Sequence, residues 1–330
     1  MTKISRRHGL SALAGLVALG LAAALAGNAT AAPKQINIDY SYYNPVSLVL
    51  KEKGWVEEEF SKDGIGVQWV LTLGSNKAIE FLNAGAIDFG ATAGSAALLA
   101  RANSIPIKAV YIYSRPEWTA LVVRADSPIK SVADLKGKRI AVTKGTDPYI
   151  FLLRALDKFG VSESDVQEVL LQHPLGKVAL EKGEVDAWAG LDPHMAQTEL
   201  EQHSRLFYRN TDFNTYGFLN TREAFAKENP KLVERVIQVY EKGRKWALAN
   251  PDDFRAIVAA QTKVSDPVAK LQLERNDLSN PVIGEEHVKA IIAAGQVLQK
   301  TGLIEAGVDV PKLAADLIDP QYVRRAVAAK

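Results

Sequence analysis

Residues 67–102, VQWVLTLGSNKAIEFLNAGAIDFGATAGSAALLARA, decide the fold class. The segment holds two mostly apolar runs of strand length, 67–72 and 87–92, separated by a predicted helix at 77–83. Each run ends in a short turn with glycine and serine, and each turn leads into a stretch of helical periodicity. Strands that alternate with helices through short turns are typical of a mainly parallel sheet covered by helices. The segment therefore predicts an α/β fold.

The same alternation continues on both sides of this segment and restarts near Ser131. Further predicted strands lie at 35–43, 107–113, 119–124, 166–171 and 185–189, with a buried strand in RIAVTK, and predicted helices lie at 46–60, 149–159 and 178–182. From Pro230 onward the apolar residues follow helical spacing almost throughout. The pattern predicts two α/β lobes, with a helical tail packed on one of them.

Composition excludes several classes of protein. The 330 residues are 47% hydrophobic and 24% charged, which suits one large or two ordinary globular domains and excludes a disordered, collagen-like or multi-span membrane chain. The formal net charge of +2 gives no basic field for nucleic acid. The chain contains no cysteine, which excludes disulfides, thiolate metal sites and cysteine nucleophiles.

The N-terminus has the layout of a secretory signal peptide. A basic head with Arg6 and Arg7 precedes an apolar, Ala-rich run, and Ala29 and Ala31 form an A-x-A cleavage pattern. We therefore predict a signal peptide over 1–31 and a periplasmic mature protein; an uncleaved anchor is the alternative. Because Gly9 stands where the twin-arginine motif usually has Phe, the route remains open between Sec and twin-arginine export. Cleavage removes three basic residues, leaving 37 basic against 38 acidic side chains.

Four segments carry a family resemblance: FLNAGAIDFGATAG (81–94), DSPIKSVADLKGKRIAVTKGT (126–146), LEKGEVDAWAGLDP (180–193) and KWALANPDDF (245–254). They resemble the periplasmic solute-binding proteins of ABC importers in the nitrate, sulfonate and taurine group, and most of all the aliphatic-sulfonate binders. The resemblance implies a type II-like periplasmic binding protein, with lobe I at 32–122 and 214–330 and lobe II at 123–213. It also implies a hinge of two crossing segments and a ligand held in the cleft between the lobes.

The predicted cleft has three junctions suited to an oxyanion. Gly74-Ser75-Asn76, Gly94-Ser95 and Gly145-Thr146 each join a strand to a helix. Helix N-termini leave backbone N–H groups unpaired and carry partial positive charge, so they bind anions without a full cation. The alternative for each junction is an ordinary helix cap.

Aromatic residues cluster near the same junctions, where they could wall the apolar body of a ligand. The predicted ligand-binding residues are Tyr42, Tyr43, Ser75, Asn76, Gly94, Ser95, Arg115, Trp118, Gly145, Thr146, Tyr149, Trp188, Asp192 and Tyr216. Trp188 has a second interpretation as a core residue, and Asp147 is interpreted as a helix-capping or first-turn residue. Asp147 or Asp192 could contact the ammonium group of taurine.

Catalytic and metal-binding motifs find little support. No H-E-x-x-H, G-x-S-x-G, phosphate loop or G-x-G-x-x-G in the right context is present, so we predict no metal, no cofactor and no enzyme. Two hypotheses remain: a monomeric receptor that delivers a small anion to a membrane permease, and an exported enzyme on the same scaffold. An aliphatic sulfonate is the favoured ligand, with taurine, nitrate, an aromatic carboxylate or a pyrimidine as alternatives.

Overall fold

The structure is a computed structural model that describes residues 33–328. The predicted signal peptide therefore lies outside the described residues. Within residues 33–328, no helix has both the length and the apolar character needed to cross a membrane.

Eleven strands form two sheets over the described part of the chain. The first sheet contains β1 (Gln35–Tyr40), β2 (Gly66–Leu71), β3 (Phe89–Ala93), β4 (Ile107–Pro116), β10 (Gly217–Arg222) and β11 (Asn276–Asp277). The second contains β5 (Thr119–Val123), β6 (Arg139–Val142), β7 (Gln167–Leu170), β8 (Ala187–Leu191) and β9 (Arg205–Tyr208). The predicted α/β class is confirmed.

The two sheets share one plan, with spatial orders β11-β4-β10-β3-β1-β2 and β7-β6-β8-β5-β9. In the first sheet β1 is parallel to β2 and β3, and β10 lies antiparallel between β3 and β4. In the second, β6 is parallel to β7 and β8, and β5 lies antiparallel between β8 and β9. Each sheet is therefore mixed, and its reversed inner strand is the first strand after a crossing from the other sheet.

Fourteen helices cover the sheets in the described residues. They are α1 (Pro45–Lys53), α2 (Trp55–Ser61), α3 (Ser75–Asn83), α4 (Gly94–Ala102), α5 (Asp147–Lys158), α6 (His173–Glu181), α7 (His194–Glu201), α8 (Glu223–Glu228), α9 (Pro230–Ala249), α10 (Pro251–Thr262), α11 (Asp266–Glu274), α12 (Glu285–Lys300), α13 (Val310–Leu317) and α14 (Gln321–Ala328). The single helix predicted at 46–60 is two helices, because Gly54 adopts a left-handed φ of 64° that ends α1.

The C-terminal helices pack mainly around the first sheet. Helices α9 and α10 contact α1, and α13 contacts α4, as the predicted helical tail requires. Two others also reach the second sheet's helices, since α11 contacts α7 and α12 contacts both α4 and α5. The tail therefore joins the two halves of the molecule as well as covering one of them.

The chain crosses between the sheets twice, once between β4 and β5 and once between β9 and β10. The first crossing consists of Glu117 and Trp118, and the second of residues 209–216. The predicted lobe limit at 122 and 123 falls inside β5, and the limit at 213 and 214 falls inside the second crossing. The lobe limits themselves remain a prediction.

Candidate functional site

A small cavity of about 10 Å³ lies where the two sheets face each other. Its lining comes from both sheets and from the first crossing: Tyr43, Ser75, Ala93, Trp118, Thr146, Asp147, Pro148, His173 and Leu191. Strand β3 and helix α3 contribute from the first sheet, and α5, α6 and β8 contribute from the second. The cavity therefore occupies the predicted ligand cleft, at the strand ends where open α/β sheets bind ligands.

The Asp147 carboxylate is the centre of the hydrogen bonding in this cleft. Its Oδ1 accepts hydrogen bonds from the Ser95 and Thr215 hydroxyls, both at 2.6 Å. Its Oδ2 accepts from the Trp118 indole N–H at 2.9 Å and from the Thr215 backbone N–H at 3.1 Å. Asp147 is the first residue of α5, as predicted, but its side chain joins the second sheet's helix to the first sheet and to both crossings.

The predicted junction at Gly94-Ser95 uses its donors inside the protein. The Gly94 N–H donates to the carbonyls of Thr215 and Tyr216, and the Ser95 N–H donates to the Thr215 hydroxyl. A Cβ at Gly94 would lie 2.5 Å from Phe218, so the glycine permits close packing of the second crossing. This junction, predicted to bind an anionic ligand, binds the chain's own backbone and carboxylate.

The junction at Gly145-Thr146 lies at the cavity, with its hydroxyl also occupied. Thr146 Oγ1 donates to the Thr143 carbonyl at 2.6 Å. Gly145 has a left-handed φ of 76°, which glycine adopts without strain, and it faces Asn76 across the cleft. Thr146 therefore lines the cavity, but its hydroxyl proton is already used in the hydrogen bond to Thr143.

The junction at Gly74-Ser75-Asn76 keeps its donors. Among the described residues, the backbone N–H groups of Ser75 and Asn76 have no acceptor, as expected at the first turn of α3. The Ser75 Oγ accepts from the Ala93 N–H at 3.0 Å and retains its own proton to donate. Of the three predicted junctions, this one can offer several donors to an oxyanion.

The remaining wall of the cavity is largely apolar. Tyr43 and Trp118 pack edge to face with ring centroids 5.9 Å apart, and Leu191 lies beside them in the same core cluster. The Tyr43 hydroxyl donates to the Ala91 carbonyl at 2.9 Å, so the ring is held in place from behind. Such a wall suits the hydrocarbon part of a small ligand.

A second hydrogen-bond network is centred on the buried carboxyl group of Asp39. Asp39, at the end of β1, accepts hydrogen bonds from the Ala91 N–H and from the Thr72 and Ser41 hydroxyls. Burial raises the pKa of Asp39 to about 6, and these hydrogen bonds oppose the shift. These hydrogen bonds join β1 and β3 to Thr72, the residue after β2. They also hold the position of Tyr43, whose hydroxyl lies 3.3 Å from the Thr72 hydroxyl.

Three predicted aromatic residues lie away from the cavity. Trp188 is fully buried in the core of the second sheet, against Gly176 of α6, which corrects its assignment to the ligand site in favour of the core interpretation. Tyr149 is buried in a second core cluster, with its hydroxyl donating to Glu163. Tyr42 is half-buried and its carbonyl accepts from Gln272. The apolar environment of each ring explains its position.

Arg115 and Tyr216 belong to a different cavity, behind the second crossing. That cavity has a volume of about 310 Å³ and also includes Arg154 and Lys289. The Arg115 guanidinium lies 5.8 Å from the centre of the Tyr216 ring, and Arg115 is exposed. The predicted contribution of these two residues to the cleft is therefore not supported by their placement.

Asp192 is buried beside the first crossing, where it holds other parts of the protein. Its backbone N–H donates to the Trp118 carbonyl, and its Oδ1 accepts from the Ala196 N–H at 2.8 Å and from Arg275 at 3.4 Å. Burial raises the pKa of Asp192 to about 6, against the opposing effect of Arg275. Asp192 supports the wall that Trp118 and Leu191 form, and it does not itself line the cavity.

The sequence analysis passed over two polar residues of this region: His173, which lines the cavity, and Thr215, which donates hydrogen bonds to Asp147. His173 is the first residue of α6 and is buried, with its Nδ1 3.2 Å from the Thr143 hydroxyl. Burial lowers the pKa of His173 to about 3, and the nearby His194 adds to the shift. The strand-to-helix position of His173 matches that of the three predicted junctions, but it has no glycine turn to mark it.

Residues 33–328 bring together no group of three histidine or acidic side chains able to hold an ion.

The comparisons with known proteins agree with this geometry. A Bacillus subtilis protein named for the binding of aliphatic sulfonates is 29% identical over 297 residues, which cover 89% of this chain and 88% of that protein. The alkanesulfonate-binding protein SsuA from Xanthomonas axonopodis pv. citri, solved with bound MOPS, matches at a TM-score of 0.79 and 25% identity, over 87% of this chain and 98% of that one. The desulfurization enzyme DszB matches at a TM-score of 0.65 and 16% identity, over 89% and 99%, and shares the fold alone.

Fold and relatives together define a solute-binding protein with the periplasmic binding protein architecture. The family model described as NMT1/THI5 like matches residues 46–254, well over half of the chain. The chain belongs to the NMT1/THI5-like family, and the predicted resemblance to aliphatic-sulfonate binders is confirmed.

Proposed function

We propose that this protein is an exported receptor that binds an aliphatic sulfonate in the cleft between its sheets and delivers it to an ABC permease. One observation carries the proposal: Ser75, whose backbone N–H has no acceptor within residues 33–328 and whose hydroxyl keeps its proton, lines the same cavity as the apolar wall of Tyr43, Trp118 and Leu191. A sulfonate head with three acceptor oxygens suits the donors, and a short alkyl chain suits the wall.

The same geometry argues against two of the other predicted ligands, nitrate and an aromatic carboxylate. Nitrate has no apolar part to contact Tyr43, Trp118 or Leu191. An aromatic dicarboxylate needs a second set of donors, whereas the junction at Gly94-Ser95 already serves Asp147 and the second crossing. An alkanesulfonate requires one set of donors and one apolar wall.

Binding must open and close the cleft. A cavity of about 10 Å³ has room for about one water molecule, so the two sides must separate to admit a sulfonate. The hydrogen bonds of Asp147 to Ser95 and Thr215 tie the sides together and would be rearranged or re-formed in each cycle. We propose hinge motion at the two crossings, with 32–122 and 214–330 as lobe I and 123–213 as lobe II.

The setting of the receptor follows from its proposed role. We propose that residues 1–31 direct export, that the mature protein is a periplasmic monomer, and that a membrane permease of an ABC importer is its partner. No nucleic acid, cofactor or catalytic step is part of this proposal.

A ligand panel tests the function. The mature protein, residues 32–330, is mixed with 1-propanesulfonate, taurine, nitrate, sulfate, phthalate and a pyrimidine, and its thermal transition is measured. Short sulfonates should raise the transition most, by the stabilisation that selective binding to the native state produces. Stoichiometric binding without product, followed by calorimetry and mass spectrometry, supports a receptor. A shift produced only by a non-sulfonate would overturn the ligand assignment, and product formation would establish an enzyme.

A further inference from the structure

The cavity of about 310 Å³ behind the second crossing is separate from the cleft. Its walls come from the end of β4, the second crossing, α5 and α12, and they include Arg115, Pro116, Arg154, Asn214, Tyr216 and Ala290. Asn214 and Tyr216 line this cavity, whereas Thr215 between them donates hydrogen bonds to Asp147 in the cleft. The volume is that of a pocket for a small organic molecule.

A buried arginine lines this cavity without an acid to neutralise it. Arg154 of α5 is only 8% exposed, and within residues 33–328 it forms no ion pair. Its side chain makes one hydrogen bond there, from Nη1 to the Phe213 carbonyl at 3.2 Å. Because a guanidinium has five N–H donors, most of the donors of Arg154 have no acceptor in that part of the protein.

The contacts of Arg154 inside the protein do not offset the burial of its charge. The Phe213 ring, with its centre 4.2 Å from the guanidinium carbon, covers one face of the group but accepts none of its in-plane N–H groups. Burial lowers the pKa of Arg154, and the carboxylates of Asp147 and Asp212 oppose the shift only in part. A bound anion would supply both the missing charge and the missing acceptors.

The rest of the lining indicates what the anion carries. The other charged residues are exposed, two of each sign, so they cancel in number and are screened by solvent: Arg115, Lys289, Asp212 and Glu286. Pro116, Ala290 and the ring of Tyr216 offer apolar surface beside them. The cavity therefore combines one buried cation with a wall for a hydrocarbon body.

We propose that this cavity is a second binding site, for a small organic carboxylate whose head is held by Arg154 and whose apolar body lies against Tyr216, Pro116 and Ala290. A planar carboxylate suits a guanidinium because the two can form parallel hydrogen bonds. The inference goes beyond the proposed function and does not rest on it, since no residue of this site lines the cleft.

A matched pair of ligands tests the need for a charged head. Benzoate and benzamide have nearly the same planar shape, and only benzoate is an anion. Titration calorimetry on the mature protein should give benzoate an affinity at least about tenfold higher, because its carboxylate accepts charge-assisted hydrogen bonds from Arg154. Equal affinities, or no binding of benzoate, would overturn the site.

Two variants test whether benzoate binds in this cavity. Arg154→Lys keeps the charge and a donor for the Phe213 carbonyl but loses the paired N–H groups, so it should weaken benzoate by about fivefold or more. Ala290→Phe, at a half-buried position of α12, fills the cavity and should weaken benzoate by about tenfold or more. Arg324→Gln, at an exposed position of α14, is the control and should bind benzoate as the wild type does.

The location of the ligand separates this inference from the proposed function. A crystal of the mature protein soaked in 4-bromobenzoate should show the anomalous signal of bromine beside Tyr216 and Ala290. Bromine in the cleft instead, or unchanged benzoate affinity in folded Arg154→Lys and Ala290→Phe proteins, would overturn the second site and leave the sulfonate receptor intact. Failure of every sulfonate to bind would overturn the proposed function and leave this site standing.

Discussion

The junctions at Gly74-Ser75-Asn76 and Gly94-Ser95 are alike in sequence and opposite in use. Both place a glycine and a serine at the start of a helix that follows the first sheet's strands. The second crossing consumes the backbone donors of Gly94 and Ser95, and Asp147 takes the Ser95 hydroxyl. Within residues 33–328, the backbone N–H groups of Ser75 and Asn76 have no acceptor. A glycine and a serine at the start of a helix thus indicate hydrogen-bond donors in the sequence. Whether those donors bond to the protein itself depends on which distant segments of the chain pack against them.

The largest expected difference between the two junctions is in stability. Gly94→Ala should lower the free energy of unfolding by about 3 kcal/mol, because its Cβ would meet Phe218, Ile291 and the Thr215 carbonyl within 2.6 Å. Gly74→Ala should cost much less, since its nearest neighbours are the side chains of Asn76 and His173 and no backbone atom. Urea denaturation and calorimetry measure the two effects. Equal stability losses would remove the distinction between the junctions.

Removal of the internal anion should have the next largest effect. Asp147→Asn replaces one carboxylate oxygen with an amide group that faces donors, so it should lower the free energy of unfolding by about 2 kcal/mol. Small-angle scattering of the ligand-free variant should also show a larger radius of gyration than the wild type. The exposed Asp253→Asn, in the first turn of α10, is the control. Unchanged stability and shape would show that Asp147 does not hold the sides together.

The two sides of the cleft should respond to acid with opposite signs. The pKa of Asp39 is raised to about 6, above its unfolded value, so its protonation stabilises the fold as pH falls. The pKa of His173 is lowered to about 3, so the unfolded chain takes up its proton first and stability falls below pH 6.5.

Between pH 7 and pH 5 these contributions are worth about 1 kcal/mol for Asp39 and about 2 kcal/mol for His173. The wild type should therefore gain stability relative to Asp39→Asn over this range and lose it relative to His173→Gln. Chemical denaturation of the three proteins at each pH gives the slopes. Slopes of the same sign would contradict the assigned protonation states.

The smallest expected difference is that between the two serines. Ser75→Ala should weaken the binding of 1-propanesulfonate by about tenfold, because a hydroxyl donor to a charged oxygen is lost. Ser95→Ala should lower the free energy of unfolding by about 1 kcal/mol and leave affinity within about threefold, since its hydroxyl serves Asp147. If Ser95→Ala instead weakens binding as strongly as Ser75→Ala, the original prediction for the Gly94-Ser95 junction is restored.

The sequence was sufficient for the α/β class and for most of the strands and helices. Apolar runs and glycine turns predicted eight of the eleven strands in the described residues within a few residues, because these signals are local, but β9, β10 and β11 were not predicted. The break at Gly54 was missed, although the glycine was visible, since helical periodicity continues across it. Hydrophobic periodicity indicates that a segment favours a helix, but it does not show where one residue with a positive φ ends that helix.

The contents of the site were less predictable, because they depend on contacts between distant segments. Asp147 is recognisable as a first-turn residue, but its bonds to Ser95 and Thr215 join residues 52 and 68 positions away. Trp188 looks like a ligand wall in sequence and lies in the core, because Gly176 of α6 admits its ring. His173 was passed over since no glycine turn precedes it. Each of these outcomes depends on which faces of two separate sheets meet.

The position of β10 has a consequence for how the protein is made. This strand completes the first sheet by pairing with both β3 and β4, yet it follows the whole of the second sheet in the chain. During synthesis, β1 to β4, which span residues 35–116, cannot complete their sheet until residues 217–222 have been made, and until then the edges of β3 and β4 that pair with β10 are unpaired. The second sheet, built from one continuous stretch, can be assembled earlier. The sheet that is synthesised first is therefore the one that is completed last. The start of α3 belongs to this first sheet.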